Sequence, residues 1–115
     1  SSANILTRSV VGDITLGESG RHFLDSVFAE GQEICKANGY PMSSDVIKFY
    51  ENIFDTKGSP FATSMLRDLE AGKVTEGPHI IGDLIKRAHD HGVPVPIMQC
   101  ALAAIQTYEA KLLLN

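Results

Sequence analysis

The 115-residue sequence predicts an all-α fold, a compact bundle of about five helices in one domain covering residues 1–115. Apolar residues recur at spacings of three and four through residues 18–112, which is the repeat of an amphipathic helix. Glycines and prolines interrupt this repeat at the places where helices would end. No segment of useful length alternates apolar and polar residues with the period of two that a half-buried strand shows.

The first long helix is predicted from Gly17 to Asn38. Before it, residues 1–9 look like the tail of a helix that begins upstream, and Gly12-Asp13 interrupts the pattern. The apolar face of the long helix consists of residues at helical spacing: Phe23, Leu24, Val27, Phe28, Ile34 and Cys35. The run Asn38-Gly39-Tyr40-Pro41 ends the helix, because glycine readily adopts a terminating conformation and proline cannot continue a helix.

Two more helices follow in the middle of the chain. Ser43 or Ser44 is predicted to cap the first, since a serine oxygen can accept a hydrogen bond from a first-turn N–H. This helix carries apolar residues three and four apart: Val46, Phe49, Tyr50, Ile53 and Phe54. The run Lys57-Gly58-Ser59-Pro60 ends it. The next helix is predicted from Pro60 to Ala71, with Ser59 as its cap and proline at the first helical position.

The last two predicted helices are joined by an extended link. The first runs from Thr75 to His91 and is expected to bury Ile80, Ile81, Leu84, Ile85 and Ala88. Gly92 ends it, and Val93-Pro94-Val95-Pro96 is extended because each proline disfavours helix in the residue before it. The final helix has a repeating face of Ile97, Cys100, Ala101, Ala104, Ile105, Tyr108 and Leu112.

Composition limits the classes of function. The chain is 43% hydrophobic and 21% charged, as ordinary globular domains are. A net charge of −4 without a basic cluster argues against a nucleic-acid partner. No run approaches the ~18 apolar residues that span a bilayer, and no signal-peptide pattern opens the chain. We therefore expect a cytoplasmic protein with no membrane partner, in which Cys35 and Cys100 are buried free thiols.

The most informative stretch runs from Thr63 to Glu76. Gly72 stands where a helix would end in the left-handed conformation that glycine adopts at little cost. Thr75 can cap the next helix, and Glu76 then falls in its first turn, where the helix dipole favours a carboxylate. Ser64 and Glu76 should therefore lie near one helix–helix corner and could line a cleft. By themselves, a first-turn glutamate and a helical serine require no function.

Several motifs occur in a fixed order: Ser64-Met65-Leu66-x-Asp68-x-x-Ala71-Gly72-x-x-Thr75-Glu76, then Gly82, then His91-Gly92-Val93-Pro94-x-Pro96. In this order and spacing they resemble the C-terminal domain of the ketopantoate reductase (2-dehydropantoate 2-reductase) family. Near the start of the chain, Val11-Gly12-Asp13-Ile14 is similar to the turn that follows the family's first long helix. The resemblance thus covers most of the chain.

The resemblance implies a parent enzyme that reduces 2-dehydropantoate to pantoate with NADPH, a step toward pantothenate. This domain would close the active-site cleft over a small-molecule 2-oxo acid, with Glu76 as a catalytic residue and Ser64 as a substrate-binding residue. The nucleotide-binding domain would lie upstream, because no strand followed by G-x-G-x-x-G occurs here, and the family's catalytic lysine would precede Ser1. We expect no cofactor-binding residue in this chain and no activity from it alone.

The sequence also departs from the family pattern. Where the family commonly reads T-E-I-D-x-I-N-G, this chain has Thr75-Glu76-Gly77-Pro78-His79-Ile80-Ile81-Gly82. An acidic residue and an asparagine are both replaced. Reduction of a 2-oxo acid in general is therefore better supported than pantoate chemistry in particular.

Two other motifs have simpler interpretations than chemistry. His89-Asp90-His91 suggests a metal site, but residues two apart point to different sides of a helix and no ligand set completes the site, so no metal is expected. Lys111 and Asn115 reproduce the K-x-x-x-N spacing of the family's catalytic lysine. That motif precedes the matching segment in the family and ends the chain here, so Lys111 is predicted to be a solvated terminal residue.

A second class of function remains open, namely a stand-alone helical interaction or dimerisation module without a catalytic role. An in-frame G-x-G-x-x-G domain encoded upstream of Ser1 would favour the reductase over this alternative. In either case, apolar surface left uncovered by a separated domain needs a cover, and a homodimer would supply one.

Overall fold

A computed structural model describes residues 2–114, with Ser64 described by its backbone alone. Seven α-helices and no strand occur in this range. They are α1 (Ser2–Thr7), α2 (Val11–Ile14), α3 (Gly20–Ala37), α4 (Ser44–Asp55), α5 (Ser64–Glu70), α6 (Gly77–Asp90) and α7 (Pro96–Leu113). The predicted all-α class is confirmed; α3 to α7 are the five predicted segments, and α1 and α2 are short helices before them. None of these helices is long and apolar enough to cross a lipid bilayer.

The main hydrophobic core lies between α6 and α7, with α1, α3 and α5 packed around them. Its buried side chains are Ile5, Ile34, Met65, Leu69, Ile81, Ile85, Ala88, Val95, Met98, Ala101 and Ile105. Ala88 and Ala101 are fully buried, and their short side chains permit close approach of neighbouring helices. A smaller cluster of Ala3, Val11, Ile14 and Leu24 lies beside it.

A buried carboxylate from α3 caps the start of α7. Glu30 is only 7% exposed, and its two oxygens accept backbone N–H groups from Ile97 at 2.8 Å and Met98 at 3.0 Å. First-turn N–H groups have no partner within their own helix, and the dipole there favours a negative charge. Glu30 therefore satisfies both donors and joins α3 to the beginning of α7.

The prediction of a helix from Pro60 to Ala71 is wrong at its start, because α5 begins only at Ser64. The preceding residues instead hold α2. Val11 N–H donates to the Phe61 carbonyl at 3.0 Å, and Gly12 N–H donates to the Ser59 carbonyl at 2.8 Å. Gly12 also fits tightly against this segment, where a Cβ would lie 2.4 Å from Ser59 N. A tertiary contact thus overrides the local Ser-Pro signal for a helix start.

Helix α4 lies at the periphery. Ser43 caps it as predicted, since its Oγ accepts the Val46 N–H at 3.3 Å. None of its residues is buried. Its inner side meets other aromatic rings, with ring centroids of Phe28, Tyr50, Phe54 and Phe61 separated by 5.3–6.4 Å. Arg21 of α3 pairs with Asp25 and with Asp55 at the end of α4, and these hydrogen bonds raise the pKa of Arg21.

Three residues predicted to be buried are more exposed than expected. Cys35 is half-buried and Cys100 is exposed. Helix α7 buries Met98, Ala101 and Ile105, and a residue two positions after Met98 points to the opposite side of the helix. Ile80 is 44% exposed, because α6 turns it toward an open cleft rather than into the core.

Candidate functional site

The turn between α5 and α6 has the predicted glycine-terminated geometry. Gly72 has φ +72°, in the left-handed region. The Lys73 N–H reaches back to the Asp68 carbonyl at 2.9 Å, and the Gly72 N–H reaches the Leu69 carbonyl at 3.1 Å. These bonds satisfy carbonyls that the end of a helix leaves unpaired. The chain then reverses direction and starts α6 five residues after Gly72.

The first turns of α5 and α6 pack against each other. A Cβ on Gly77, the first residue of α6, would lie 3.5 Å from Met65 Sδ and 3.0 Å from Ile105 Cγ1. Met65 follows Ser64, and Gly77 follows Glu76. Each of the two predicted site residues therefore immediately precedes a residue of this contact, which glycine at position 77 permits. We refer to residues Thr63–Ser64 and Thr75–Gly77 as the corner.

Glu76 is the N-cap residue of α6 rather than a first-turn residue, so its predicted position is wrong by one. Its carbonyl accepts the Ile80 N–H at 3.0 Å, but its side chain makes no hydrogen bond to the first turn. The residue is exposed. The carboxylate oxygens of Glu76 are therefore available to an outside donor.

Thr75, the residue before the N-cap position, supplies the capping hydrogen bond that the side chain of Glu76 does not make. Its Oγ1 accepts the Gly77 N–H at 3.0 Å. Its own N–H and hydroxyl both donate to one oxygen, Glu109 Oε1 on α7, at 2.9 Å and 3.2 Å. Thr75 is 8% exposed, so these bonds form largely out of water. The backbone on the N-terminal side of Glu76 is therefore fixed by α7.

The other end of the α5–α6 connection is also held by α7. The Tyr108 hydroxyl donates to the Lys73 carbonyl at 2.7 Å and lies 3.3 Å from the Leu69 carbonyl. The Arg8 guanidinium lies over the Tyr108 ring, 5.4 Å from its centroid. Two consecutive residues of α7, Tyr108 and Glu109, thus support the connection at two points.

Ser64 is the first residue of α5, and its side chain lies outside the part of the chain that the structure describes. The residue before it is tied to α1. Thr63 N–H donates to Asn4 Oδ1 at 3.3 Å, and Asn4 Nδ2 donates to the Ser9 carbonyl at 2.9 Å. Thr63 Oγ1 is buried without a partner among the described residues. Beside Ser64 the corner therefore holds a polar atom that water does not reach.

The remaining predicted positions stay apart from the corner. Lys111 is exposed in the last turn of α7, and Asn115 lies outside the described residues. His89 and His91 are exposed, and the His89 ring lies 3.1 Å from the Gln99 amide. Within residues 2–114, no group of three His, Cys, Asp or Glu side chains is arranged to hold a metal ion.

A nucleotide cofactor is not accommodated by these residues. Dinucleotide sites place a pyrophosphate on a glycine-rich turn between a strand and a helix. The described part of the chain contains helices and no strand. Its left-handed glycines, among them Gly72 and Gly92, follow helices instead of preceding them. The residues described here therefore do not fit NADPH by themselves.

An apolar cleft of about 310 Å³ is a separate feature. It lies among α1, α3, α4, α6 and α7, and none of the corner residues lines it. Its walls include aromatic and aliphatic side chains such as Phe28, Tyr50, Phe54, Phe61, Ile80 and Leu84. The corner is thus defined by hydrogen bonds at helix ends, whereas the cleft is defined by incomplete packing of apolar surfaces.

Comparison with known proteins was made on sequence and on structure. The family model described as "Ketopantoate reductase PanE/ApbA C terminal" matches residues 1–109. An uncharacterized oxidoreductase, YkpB of Bacillus subtilis, is 30% identical over 101 residues, which are 88% of this chain and 33% of that protein. A 2-dehydropantoate 2-reductase of Salmonella typhimurium is 36% identical over 80 residues, which are 66% of this chain and 26% of that protein. The chain thus spans about a third or less of these relatives.

A solved structure agrees in fold. The dimeric ketopantoate reductase from Staphylococcus aureus superposes with a TM-score of 0.79 at 21% identity, covering 96% of this chain and 39% of that one. The family match over residues 1–109 includes the corner with its Ser-Met-Leu start and its Thr-Glu cap. On these grounds the chain belongs to the ketopantoate reductase C-terminal domain family of oxidoreductases.

Proposed function

We propose that this chain is the substrate-binding domain of an NADPH-dependent reductase that converts a 2-oxo acid, 2-dehydropantoate in the first instance, to the 2-hydroxy acid in the cytoplasm. The observation that supports this proposal is the corner, where Gly77, the residue after Glu76, lies against the side chain of Met65, the residue after Ser64. Relatives of this chain include 2-dehydropantoate 2-reductases about three or more times as long as the aligned region.

The corner suits the binding and orientation of a polar substrate. Glu76 presents an exposed carboxylate at the start of α6, where it would accept a hydrogen bond from a substrate hydroxyl or a lysine ammonium. Ser64 would add a neutral hydrogen bond from the adjacent helix start. The hydride donor and the catalytic lysine would come from the remainder of a protein of the relatives' length, because the residues described here form no nucleotide site.

The decisive test is Glu76→Gln in the full-length protein that carries this domain. If Glu76 touches substrate or lysine, kcat/KM for 2-dehydropantoate reduction should fall by on the order of thirty- to a thousand-fold, since one charge-assisted contact at a reacting centre contributes about 2–4 kcal/mol. Glu70→Gln, the same change at the exposed last residue of α5, is the matched control and should leave kinetics unchanged. If Glu76→Gln has wild-type kcat/KM, Glu76 has no catalytic role and only interacts with the dipole of α6.

Ser64→Ala should have a smaller effect than Glu76→Gln. A neutral hydrogen bond contributes on the order of 1 kcal/mol net, which corresponds to roughly five-fold in kcat/KM. The measurement is the same steady-state assay.

The 115-residue chain alone should neither bind NADPH tightly nor reduce a 2-oxo acid. Positioning of hydride and proton donors cannot be assembled from one side of a cleft. Calorimetric titration of the chain with NADPH should give no saturable heat. Micromolar binding would contradict the proposal that NADPH is held by another part of the full-length protein.

The exposed apolar surface around α4 supports a second copy as a partner. Phe49 is 57% exposed and Val46 is 41% exposed on a helix with no buried residue, and the fold relative from Staphylococcus aureus is dimeric. Analytical ultracentrifugation of the full-length protein should give the mass of a dimer. A dimer without any reductase activity would instead support the alternative of a helical dimerisation module.

A further inference from the structure

We propose that Glu109, on α7, is a positioning residue that sets the geometry of Glu76 for the reaction. This inference rests on the proposed function of the corner and adds a residue to it. Glu109 does not belong to α5, α6 or the turn between them, and it lies 33 positions after Glu76 in the sequence. It acts through Thr75, which immediately precedes Glu76.

The hydrogen bonds around Thr75 form a short chain. Glu109 Oε1 accepts both the backbone N–H and the hydroxyl of Thr75, and the Thr75 hydroxyl oxygen accepts the Gly77 N–H. Glu76 therefore lies between two residues whose backbone N–H groups are held, directly or through Thr75, by one carboxylate. The backbone sets the direction of the Cα–Cβ bond of Glu76, and hence the region of space that its carboxylate can reach.

Both hydrogen bonds from Thr75 end on a single oxygen of Glu109. A glutamine side chain offers one carbonyl oxygen of the same reach, so it can accept both bonds without a charge. An alanine offers none. Glu109→Gln and Glu109→Ala therefore separate the geometric role from a long-range effect of the negative charge.

The test is steady-state kinetics of the full-length protein with 2-dehydropantoate and NADPH. Glu109→Ala should lower kcat on the order of ten-fold with KM changed less than about two-fold, because small displacements of an aligned group reduce rate more than binding. Glu109→Gln should stay within about two-fold of wild type. Gln106→Ala, at an exposed position one turn earlier on α7, is the matched control and should not change the kinetics.

The critical measurement combines Glu109→Ala with Glu76→Gln. If Glu109 acts through Glu76, its removal should cost almost nothing further once Glu76 is neutralised. If the two losses multiply, Glu109 has only a general structural role and the inference is overturned. If Glu76→Gln alone has wild-type kcat/KM, the proposed function fails first and the inference falls with it, so the two failures are distinguishable.

Hydrogen exchange of residues 71–77 gives a readout that does not depend on activity. The Thr75 amide should exchange faster in Glu109→Ala and remain protected in Glu109→Gln, and equal protection in all three proteins would overturn the inference. Should Glu109→Ala fail to fold, Thr75→Val and Thr75→Ser replace it. The valine variant removes the hydroxyl and should lower kcat, the serine variant keeps it and should not, and equal rates would overturn the inference.

Discussion

Helices α4 and α6 both carry apolar residues at helical spacing, but only α6 buries its apolar residues in the core. Helix α6 buries Ile81, Ile85 and Ala88 in the main core and begins in a hydrogen-bonded corner. Helix α4 buries no residue, although like α6 it borders the open apolar cleft. Apolar periodicity therefore identifies the face of a helix that prefers to leave water. Whether that face is covered within the same chain depends on neighbours far away in the sequence.

The difference also concerns polar groups. The connection into α6 is fixed by Glu109 and Tyr108, which lie on α7. Helix α4 is fixed at its end by the exposed pair of Arg21 and Asp55 and by aromatic edge contacts. Exposed ion pairs contribute little to stability because water and salt screen them. The α6–α7 side should accordingly be the rigid part of the domain.

The largest change in stability is expected from a cavity in the α6–α7 side of the domain, and it would test whether this side is more tightly packed than α4. Ile105 of α7 is fully buried and packs against Gly77 of the corner. Ile105→Ala should lower the free energy of unfolding by about 2–5 kcal/mol, the range for deletion of a buried aliphatic side chain. Urea denaturation followed by circular dichroism measures this. A loss below about 1 kcal/mol would contradict the tight packing described for α7.

A smaller effect is expected from two glycines of α6. Gly77→Ala would place a Cβ 3.0 Å from Ile105 Cγ1 and 2.9 Å from Thr75 Oγ1, so it should destabilise by about 1–3 kcal/mol. Gly82→Ala meets no atom within 4 Å and should stabilise by about 0.5–1 kcal/mol, because alanine is the better helix former. Thermal unfolding of the two variants should therefore shift in opposite directions, and a higher unfolding temperature for both would mean that the corner is less tightly packed than described.

The smallest effect should come from α4. Phe49→Ser, at a position 57% exposed in the single chain, should change the free energy of unfolding of the monomer by no more than about 0.5 kcal/mol. Phe54→Ser on the same helix removes a partly buried ring and should cost about 1–2 kcal/mol. Urea denaturation compares the pair. Equal costs would break the comparison by showing that the outer face of α4 is covered.

Much of the fold follows from local signals in the sequence. The cap at Ser43 and the glycine stop at Gly72 act within one or two turns of the chain, so sequence reasoning located them. Pro96 was predicted to be extended but is the first residue of α7, where its missing N–H costs no intrahelical bond. The start of α5 was misplaced because the carbonyls of Ser59 and Phe61 are used by α2. That contact joins residues almost fifty positions apart, and no local pattern announces it.

The candidate site shows the same division. Capping signals placed Glu76 within one residue of its observed position at the start of α6, whereas Ser64 was predicted inside a helix and is the first residue of α5. Their roles in catalysis stay predictions. The supports from Asn4, Glu30 and Glu109 were missed, because each bonds to backbone 34 to 68 positions away. One signal was available for Glu30. It lies three residues after Val27 and four before Ile34, so a carboxylate stands on an otherwise apolar helix face.

The dependence of the main core and of the corner on α7 has a consequence for synthesis. Helix α7 supplies Met98, Ala101 and Ile105 to the main core, and Val95, immediately before it, belongs to the same core. Its first-turn N–H groups bind the carboxylate of Glu30. Its Tyr108 and Glu109 support the connection between α5 and α6. The ribosome synthesises α7 after the segments that pack against it. Until Pro96 and the residues after it have emerged from the ribosome, the apolar faces of α3 and α6 that pack on α7 remain exposed in the nascent chain. Chaperones then have the largest apolar surface to bind.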